Sequence, residues 1–419
     1  PLWPAVFWSI ILAGYRPLLV DATCEDKQIM HILKQAGSAA IVSDTLVSDD
    51  GVTCVSPHDY LRIDMPAADF SPVFGDAIGL CTSGTTTSPK VYVYSEKAIC
   101  EQVLLAEDIC KHNKEILHDG EIKQLAFLPF HHIFGLVAVY LWYAFFGKTM
   151  VFIKARTGKV IMSACKQHKV THIYAVPLLW NNVVKGLLRK AKLQGDKTYN
   201  KLIKATNISI SLRRRLGKLG KIIAAKVLFK DLQNKLVGDS IQFMISGGAH
   251  IKPETIRIIN AIGYHLVSGF GMTETSPLLT VLGSRDHALE GPLAAKLNSV
   301  GRVVGHVDVR VVDAEDNFLP HNETGEVVTR GPHVMKGYLN SPEMTAHAMR
   351  GGWYHTGDLA EFTPDGALIH HGRADDVMIY DGININPAEI ENTLLRHPAI
   401  AEAAAFPIHS DVRGDVPFA

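Results

Sequence analysis

Cysteine is scarce in this sequence, and net charge is absent. The 419 residues include six cysteines, none in a C-x-x-C pair, which argues against a disulfide framework or a zinc site and favours a reducing, cytoplasmic setting. Lysine and arginine together number 42, as do aspartate and glutamate, so overall charge gives no indication of a nucleic-acid partner. The 20 histidines include no H-E-x-x-H spacing typical of zinc enzymes.

The sequence also lacks an apolar run long enough to span a bilayer. Its longest run, residues 133–146, ends at Gly147 and Lys148 and falls short of the roughly 20 residues that a membrane span needs. We therefore expect this run to form a buried helix. The chain begins at Pro1 without a basic-then-apolar leader, and we expect it to be a piece of a longer protein.

Strand-like and helix-like patterns alternate along most of the chain. The predicted strands are residues 15–20, 39–43, 125–128, 170–176 and 241–245, and the predicted helices are residues 26–36 and 253–262. This alternation predicts an α/β fold with largely buried strands. After about residue 298, the short β-rich segments 307–312, 326–329 and 367–370 indicate a small β subdomain. A new strand-then-helix pattern begins after residue 376.

Hydroxyls, a glycine and a lysine are concentrated in residues 81–90 (CTSGTTTSPK), directly after an apolar run. Such a loop can hold a polyphosphate, because it offers small donors, free backbone N–H groups and one positive charge. A Ser/Thr-rich surface turn is the alternative interpretation. A standard P-loop is excluded, because Pro89 precedes Lys90 and Val91 follows it. This loop and residues 246–249 (SGGA) each follow a predicted strand, where α/β folds gather ligands.

Four further segments carry groups suited to a nucleotide. They are residues 128–135 (LPFHHIFG), 268–275 (SGFGMTET), 353–358 (WYHTGD) and 372–376 (GRADD), the last followed by 382–391 (GININPAEIE). Together and in this order, they resemble the adenylate-forming (AMP-binding) superfamily of acyl-CoA synthetases, luciferases and peptide-synthetase adenylation domains. The long basic insertion before residues 244–249 is most similar to long-chain fatty acyl-CoA and acyl-carrier-protein synthetases.

The resemblance implies a domain division and a role for each motif. Residues 1–374 would form a large N-terminal domain of stacked α/β layers, with 298–374 as its β-rich subdomain. Residues 375–419 would form a hinge at Asp375 and the beginning of a small α+β C-terminal domain. The groups implied to hold the β- and γ-phosphates of ATP are Thr82, Ser83, Gly84, Thr85, Thr86 and Lys90. The groups implied to line the adenine and the reacting carboxylate are Gly247, Gly248, Ala249, Gly269, Phe270 and Gly271.

The remaining implied roles belong to single residues. Thr273 would contact the α-phosphate, and Glu274 would bind Mg²⁺, for which a carboxylate oxygen is a suitable ligand. Asp358 and Arg373 would hold the ribose hydroxyls, and His132 would stand at the mouth of the acyl pocket. Structural alternatives remain open: Asp358 as a turn residue, Glu274 as a helix N-terminal charge, and His132 with its neighbour His131 as packing residues.

The implied reaction has two halves. A carboxylate attacks the α-phosphate of ATP to give an acyl-adenylate and pyrophosphate, and the thiol of CoA or of a phosphopantetheine carrier then displaces AMP. Lys90, Thr273, Glu274 and His132 are the implied catalytic residues, and they act by positioning and charge neutralisation. An amino-acid substrate is disfavoured, because His131 stands where amino-acid-activating members carry Asp. The aromatic and aliphatic content of 128–146 favours a fatty or aryl acid.

Three departures from the family pattern affect these expectations. Thr87 and Val91 stand where members usually carry glycine, and a β-branched residue resists any positive φ. Phe270 replaces the usual tyrosine. The family's adenylation lysine lies beyond Ala419, so we expect the chain as written to bind nucleotide better than it turns over. Because of Thr87 and Val91, a catalytically degraded homologue that binds nucleotide or acyl-adenylate, with a regulatory or scaffold role, is the alternative to a ligase. A GTPase or kinase is disfavoured, because its catalytic sets are missing.

One region has an unusual charge balance. Residues 181–236 hold 15 Lys or Arg against two acids, Asp196 and Asp231, with apolar residues at roughly helical spacing. Solvated faces of surface helices are one interpretation. The other is a basic surface that meets anionic lipid or a phosphorylated cofactor. The second interpretation predicts a peripheral membrane location with contact through residues 181–236. Separately, the resemblance implies an acyl carrier protein as a partner.

Overall fold

The computed structural model describes most of the chain. The described residues are 2–44, 52–60, 71–82, 89–112, 116, 118, 120–282, 299–305, 307–380, 383–385, 387–394, 397, 400, 403–410 and 413–419.

The strands of the described part are numbered β1 to β21 in chain order. They are Leu18–Leu19, Ala40–Val42, Thr53–Val55, Ala77–Thr82, Lys90–Ser95, Lys123–Ala126, Thr149–Phe152, His172–Ala175, Phe243–Ser246, Leu266–Phe270, Thr280–Val281, Ser299–Val303, Asp308–Val312, Gly325–Arg330, Gly337–Tyr338, Tyr354–Phe362, Ala367–Arg373, Met378–Tyr380, Ile383–Ile385, Phe406–Ser410 and Gly414–Phe418.

The α-helices of the described part are numbered α1 to α13. They are Trp3–Leu12, Asp26–Ala36, Pro57–Tyr60, Glu96–His112, Trp142–Phe145, Gly158–His168, Pro177–Leu193, Asp196–Leu216, Lys218–Ile223, Lys230–Lys235, Pro253–Ala261, Pro342–Ala348 and Pro387–Leu394. Two π-helices cover Phe134–Leu141 and Ala224–Leu228, and 3₁₀ turns cover Thr273–Thr275, Arg350–Gly352 and Ala374–Asp376.

The largest sheet has eleven strands in the order β13-β14-β16-β17-β12-β11-β10-β9-β8-β6-β7. From β7 to β10 the neighbouring strands are parallel, whereas those from β10 to β13 pair antiparallel. Every residue of β8 and β9 is buried, as expected for parallel strands covered on both faces. The α/β prediction is confirmed, and the β-rich segment after residue 298 continues the hydrogen-bonded sheet of the preceding strands.

The local patterns explain where individual elements begin and end. Helix α2 has the predicted bounds, because Asp26 lies in its first turn and Gly37 ends it in the left-handed region at φ 61°. The apolar run 133–146 forms the first π-helix and α5, and its residues from Gly135 to Tyr143 are buried. The prediction of a buried helix is therefore confirmed. No helix in the described ranges combines the length and the apolar character needed to cross a membrane.

A second sheet corrects one expectation from the sequence. Strands β1-β4-β5-β15 form a separate four-stranded sheet, and β4 pairs with β5 antiparallel from Ala77↔Ser95 to Thr82↔Lys90. The loop between Thr82 and Lys90 therefore joins two antiparallel strands, and the strand-end rule for parallel sheets was wrong for it. A short apolar run has the same pattern in a parallel and in an antiparallel strand, so the sequence did not indicate the pairing direction.

Candidate active site

A cavity of about 1190 Å³ opens where the chain leaves the parallel strands. The segment after β6, Val176 after β8, the glycine turn after β9 and the residues after β10 all line it. The carboxyl ends of parallel strands meet at one edge of a sheet, so segments distant in sequence come together there. The predicted site residues that line this cavity are His132, Gly247, Gly248, Ala249, Gly269, Phe270, Gly271, Thr273, Glu274, Asp358, Arg373 and Asp375.

Hydrogen bonds from residues distant in sequence hold the turn that carries Thr273 and Glu274. The Tyr94 hydroxyl donates to the Thr273 carbonyl at 2.8 Å, and the buried Gln102 amide donates to the Thr275 carbonyl at 3.2 Å. The Met335 N–H donates to the Glu274 carbonyl at 2.9 Å. These bonds hold the Thr273, Glu274 and Thr275 carbonyls of the short 3₁₀ turn, and the Ser276 N–H adds a longer bond to the Thr273 carbonyl at 3.4 Å. The turn is therefore fixed by residues far from it in sequence.

Tyrosines also surround the Glu274 carboxylate. The Tyr338 hydroxyl donates to Glu274 Oε1 at 3.1 Å, and the Tyr354 hydroxyl interacts with both Glu274 and Tyr338. Burial, followed by the nearby Glu274 charge, raises the pKa of Tyr94, Tyr338 and Tyr354. These three hydroxyls therefore stay protonated and act as donors. The sequence analysis did not identify any of them, although Tyr354 lies inside the quoted 353–358 segment.

Lys90 lies beside this cluster. Its ammonium is 5.6 Å from the centre of the Tyr338 ring, and that ring's hydroxyl contacts Glu274. Thr82 is its register partner at the end of β4. The other predicted phosphate-binding residues (Ser83, Gly84, Thr85 and Thr86) and the Thr87 departure lie outside the described residues.

Val91 does not cause the strain expected at its position. It sits in the regular β4–β5 ladder opposite Cys81, where the backbone is extended, and it packs with Ile32 and Cys81 in a small apolar cluster. A β-branched residue is favourable in such a strand. The expectation that Val91 would resist the local backbone conformation was therefore wrong.

Asp358 and Arg373 face each other across two antiparallel strands. They are register partners in β16 and β17, with Asp358 Oδ2 and Arg373 Nη1 3.6 Å apart. The Asp358 side chain is buried, whereas Arg373 is 46% exposed. The Arg373 guanidinium also donates to the Thr356 carbonyl at 2.9 Å. It packs directly against Gly357, which has φ 69° and no Cβ to block the contact. The two strands thus present a carboxylate and a guanidinium at one end of the cavity.

Two histidines that the sequence analysis did not identify lie next to this pair. His370 Nε2 is 3.1 Å from Asp358 Oδ1, and its ring packs on Phe270 with centroids 5.2 Å apart. His250 also lines the cavity, where burial and then the neighbouring His370 lower its pKa. His370 lies within β17, and nothing in its local sequence reveals the contact with Asp358.

The glycine-rich turns bring backbone close to the cavity wall. A Cβ at Gly271 would collide with the Pro277 carbonyl oxygen, so no larger residue fits there. A Cβ at Gly247 would meet the Phe134 ring at 3.2 Å, and Gly248 adopts φ 85°. These positions explain why the segments after β9 and β10 contain glycine.

Two histidines occupy the loop that follows β6. The His131 and His132 rings lie 4.3 Å apart, and His131 Nε2 is 3.4 Å from Asp21 Oδ2. Burial lowers the pKa of His132. Burial, together with the neighbouring His132, lowers the pKa of His131 to about 4. His132 and Arg156 line the cavity, and both histidines are neutral near pH 7.

The cavity is closed on one side by the last part of the chain. Asp376, Pro387, Glu391 and Phe406 line it together with Asp375. Asp375 has an exposed side chain 3.8 Å from Arg373 Nη2. The assignment of Asp375 as a hinge and the domain boundaries stay predictions.

The donor set is compatible with magnesium held partly by phosphates. Among the described residues, no three His, Cys, Asp or Glu side chains come together as a complete metal site. Mg²⁺ bound to a nucleotide needs only one or two protein carboxylates, because phosphates and water complete its shell. Glu274, a carboxylate that accepts from Tyr338 on Oε1 and lines the cavity, fits that requirement.

Residues 1–339 match the family model described as AMP-binding enzyme. The chain belongs to the AMP-binding enzyme family. It is 28% identical over 424 residues to 4-coumarate–CoA ligase 2 of Oryza sativa subsp. japonica, covering 97% of this chain and 66% of that protein. It is 31% identical over 410 residues to 4-coumarate-CoA ligase 2 of Narcissus pseudonarcissus, covering 93% and 64%. The chain thus spans about two thirds of the length of these ligases.

Solved structures of other proteins share the family fold. The o-succinylbenzoate CoA synthetase (MenE) of Bacillus subtilis with its acyl-adenylate intermediate has a TM-score of 0.75 at 21% identity, covering 99% of this chain and 75% of that one. ATP-bound MatB of Rhodopseudomonas palustris has a TM-score of 0.76 at 20% identity, with the same coverage. The MenE protein has also been solved with ATP and a magnesium ion.

Proposed function

We propose that the protein of which this chain forms at least a part is an ATP-dependent, AMP-forming carboxylate–thiol ligase. One observation carries the proposal: Glu274, Asp358 and Arg373 line a single cavity together with the glycine turns after β9 and β10. Family membership supports it. A surface-turn role for Asp358 is disfavoured, because its side chain is buried and aimed at the cavity.

The nucleotide would lie along the cavity from Asp358 to Glu274. The Asp358 carboxylate, which His370 orients, would accept hydrogen bonds from the ribose hydroxyls beside Arg373. Thr273 would contact the α-phosphate, and Lys90 with the loop from Thr82 would hold the outer phosphates. Glu274 would bind Mg²⁺, which neutralises phosphate charge when present. The part of the cavity lined by Gly247 and Gly271 would accept the adenine and the reacting carboxylate.

Catalysis would depend on position and charge. The acid's carboxylate attacks the α-phosphorus, the bond to the bridging oxygen breaks, and pyrophosphate leaves with the negative charge. Lys90 would stabilise the charge that develops on this leaving group. The sulfur of a thiol acceptor, CoA or a carrier phosphopantetheine, then attacks the acyl carbon and AMP leaves. The tyrosine hydroxyls around Glu274 remain donors throughout, because their pKa values are raised.

We propose an acid with an apolar body, a fatty acid in the first instance, as substrate. The apolar composition of 128–146 supports this substrate less than expected, because its residues from Gly135 to Tyr143 are buried in the core. The support comes instead from the apolar side chains that line the cavity, among them Leu128, Ile133, Phe134, Ile245, Ile251 and Ile256. The similar ligases are named for 4-coumarate, an aromatic acid that would suit the same lining.

The test is magnesium-dependent exchange of labelled pyrophosphate into ATP, with a panel of acids. Fatty acids of 8 to 18 carbons, 4-coumarate and o-succinylbenzoate are compared, and ATP binding is measured in parallel by calorimetry. Lys90→Ala should slow exchange, whereas Lys97→Ala, at an exposed position on α4, should not. Exchange with fatty acids supports the full proposal, and preference for an aromatic acid changes only the substrate. ATP binding without any exchange in the complete protein would select the degraded homologue.

A further inference from the structure

The segment from Lys197 to Lys230, which includes α8 after its first residue, all of α9 and the π-helix that follows, carries one sign of charge. No aspartate or glutamate lies between Asp196 and Asp231. The cations in that interval are Lys197, Lys201, Lys204, Arg213, Arg214, Arg215, Lys218, Lys221, Lys226 and Lys230. Such a stretch keeps a positive potential over the surface although the whole chain is neutral.

Large apolar side chains point outward from the same stretch. Leu216, Leu219, Ile222 and Val227 are between 45% and 74% exposed. Leu219 and Ile222 are three residues apart on α9 and so share one face. Val227 lies in the π-helix that directly follows α9 and is the most exposed of the four. We call these four residues with exposed Arg214, Arg215, Lys226 and Lys230 the α9 surface.

The inward side of α9 and of the π-helix that follows it carries small residues. Ala224 is fully buried, and a Cβ at Gly220 would collide with the Leu212 carbonyl. This reverses the ordinary amphipathic pattern, in which large apolar residues face the core. The arrangement is anchored to α11, because the buried Arg213 donates to the Asn260 carbonyl and the Ser209 hydroxyl donates to the Ala261 carbonyl.

We propose that the α9 surface docks on an anionic lipid bilayer. Exposed leucine, isoleucine and valine enter the boundary between headgroups and acyl chains, while lysine and arginine meet the lipid phosphates. A second copy of the chain is a poor occupant, because two identical basic surfaces repel each other. Charge alone suits an acidic protein equally well, but the outward apolar face suits a bilayer. The inference goes beyond the proposed ligase activity and does not depend on it.

Sedimentation with vesicles tests the proposal. The 419-residue chain is mixed with vesicles of phosphatidylcholine containing phosphatidylglycerol, and separately with phosphatidylcholine alone. Binding should require the anionic lipid and should weaken as salt is raised. Each cation near a charged surface contributes roughly fivefold in binding. The variant R214E/R215E/K226E/K230E should therefore bind at least about 100-fold more weakly.

Two further variants distinguish binding through the α9 surface from a general effect of net charge. The variant K27E/K97E/K159E/K252E makes the same change in charge at exposed positions elsewhere and should retain most of the binding. The variant L219S/I222S/V227S keeps every cation and should bind about tenfold or more weakly. Circular dichroism confirms that each variant is folded.

Several results would overturn the proposal. These are no binding of the native chain to anionic vesicles, equal binding to neutral ones, or equal losses from the two charge-reversed variants. Unchanged binding of the serine variant would make the contact purely electrostatic and would reject insertion. Self-association of the native chain through this surface, detected by analytical ultracentrifugation without lipid, would assign it to a second copy.

Discussion

The two ends of the cavity are held in different ways. The turn of Glu274 is fixed by a buried hydroxyl from Tyr94, 179 residues away in the chain, and by Tyr338 and Tyr354. The pair Asp358 and Arg373 is fixed by the register of adjacent strands, and Arg373 remains half exposed. The Glu274 end is therefore held by tyrosines from distant strands, whereas the Asp358–Arg373 end is set by the register of one strand pair.

This difference predicts that substitutions at the two ends of the cavity will affect stability and function differently. Changes around Glu274 should affect the folded state and the chemistry together, because the same hydrogen bonds serve both. Changes at Asp358 and Arg373 should affect nucleotide affinity with less effect on folding. Single substitutions at each end test whether the two ends differ in this way.

The largest expected effect is on the exchange rate of Glu274→Gln. The amide can still accept the Tyr338 hydrogen bond, but the charge that would hold Mg²⁺ is lost. We expect pyrophosphate exchange to fall by about 100- to 1000-fold. Glu254→Gln, at an exposed position on α11, serves as the control. An unchanged rate at saturating magnesium would remove Glu274 from the proposed metal site.

Asp358→Asn should weaken ATP binding more than it slows turnover. A hydrogen bond to a charged group contributes about 1.5–3 kcal/mol, so the KM for ATP should rise roughly 10- to 150-fold. Asp308→Asn, on β13 beside Arg310 and Arg330, should leave the KM unchanged. If Asp358→Asn lowered kcat at constant KM, the residue would not hold the ribose.

Tyr94→Phe should show the coupling between folding and chemistry at the Glu274 end. It leaves the half-buried Thr273 carbonyl with only the longer bond from the Ser276 N–H, so the free energy of unfolding should fall by about 0.5–1.5 kcal/mol and exchange should slow. Tyr264→Phe removes a similar buried hydrogen bond, to the Gly238 carbonyl, away from the cavity. It should lower stability alike and leave exchange unchanged. Equal losses of exchange in both variants would show that the coupling is general and not local.

The smallest effect concerns pH and the His131–His132 loop. Burial lowers the pKa of His131 to about 4, below its ordinary value of 6.5. The unfolded chain therefore binds the proton first, and stability should decline as pH falls below 6.5. His131 should account for about 1.4 kcal/mol of the loss in unfolding free energy between pH 7.5 and 5.5. His131→Asn should reduce that slope, and His58→Asn, at an exposed position, should not. Parallel pH profiles for all three proteins would contradict this assignment.

The sequence predicted those features that local patterns determine. The bounds of α2 follow from Asp26 and Gly37, and the motifs located Asp358 and Arg373, which the register then brought together. The partners of Glu274 were not predicted, because Tyr94 and Tyr338 approach it only through the packing of distant strands. The loop after Thr82 was assigned to the wrong kind of strand end, since pairing direction is a property of the sheet.

A crystal structure of the protein with ATP and magnesium tests the central claim most directly. We expect the ribose hydroxyls within hydrogen-bond distance of the Asp358 carboxylate, the base beside Gly247 and Gly271, and the phosphates extending toward Thr273 and Glu274. ATP bound in another pocket, or in this cavity with its phosphates directed away from Glu274, would contradict the account.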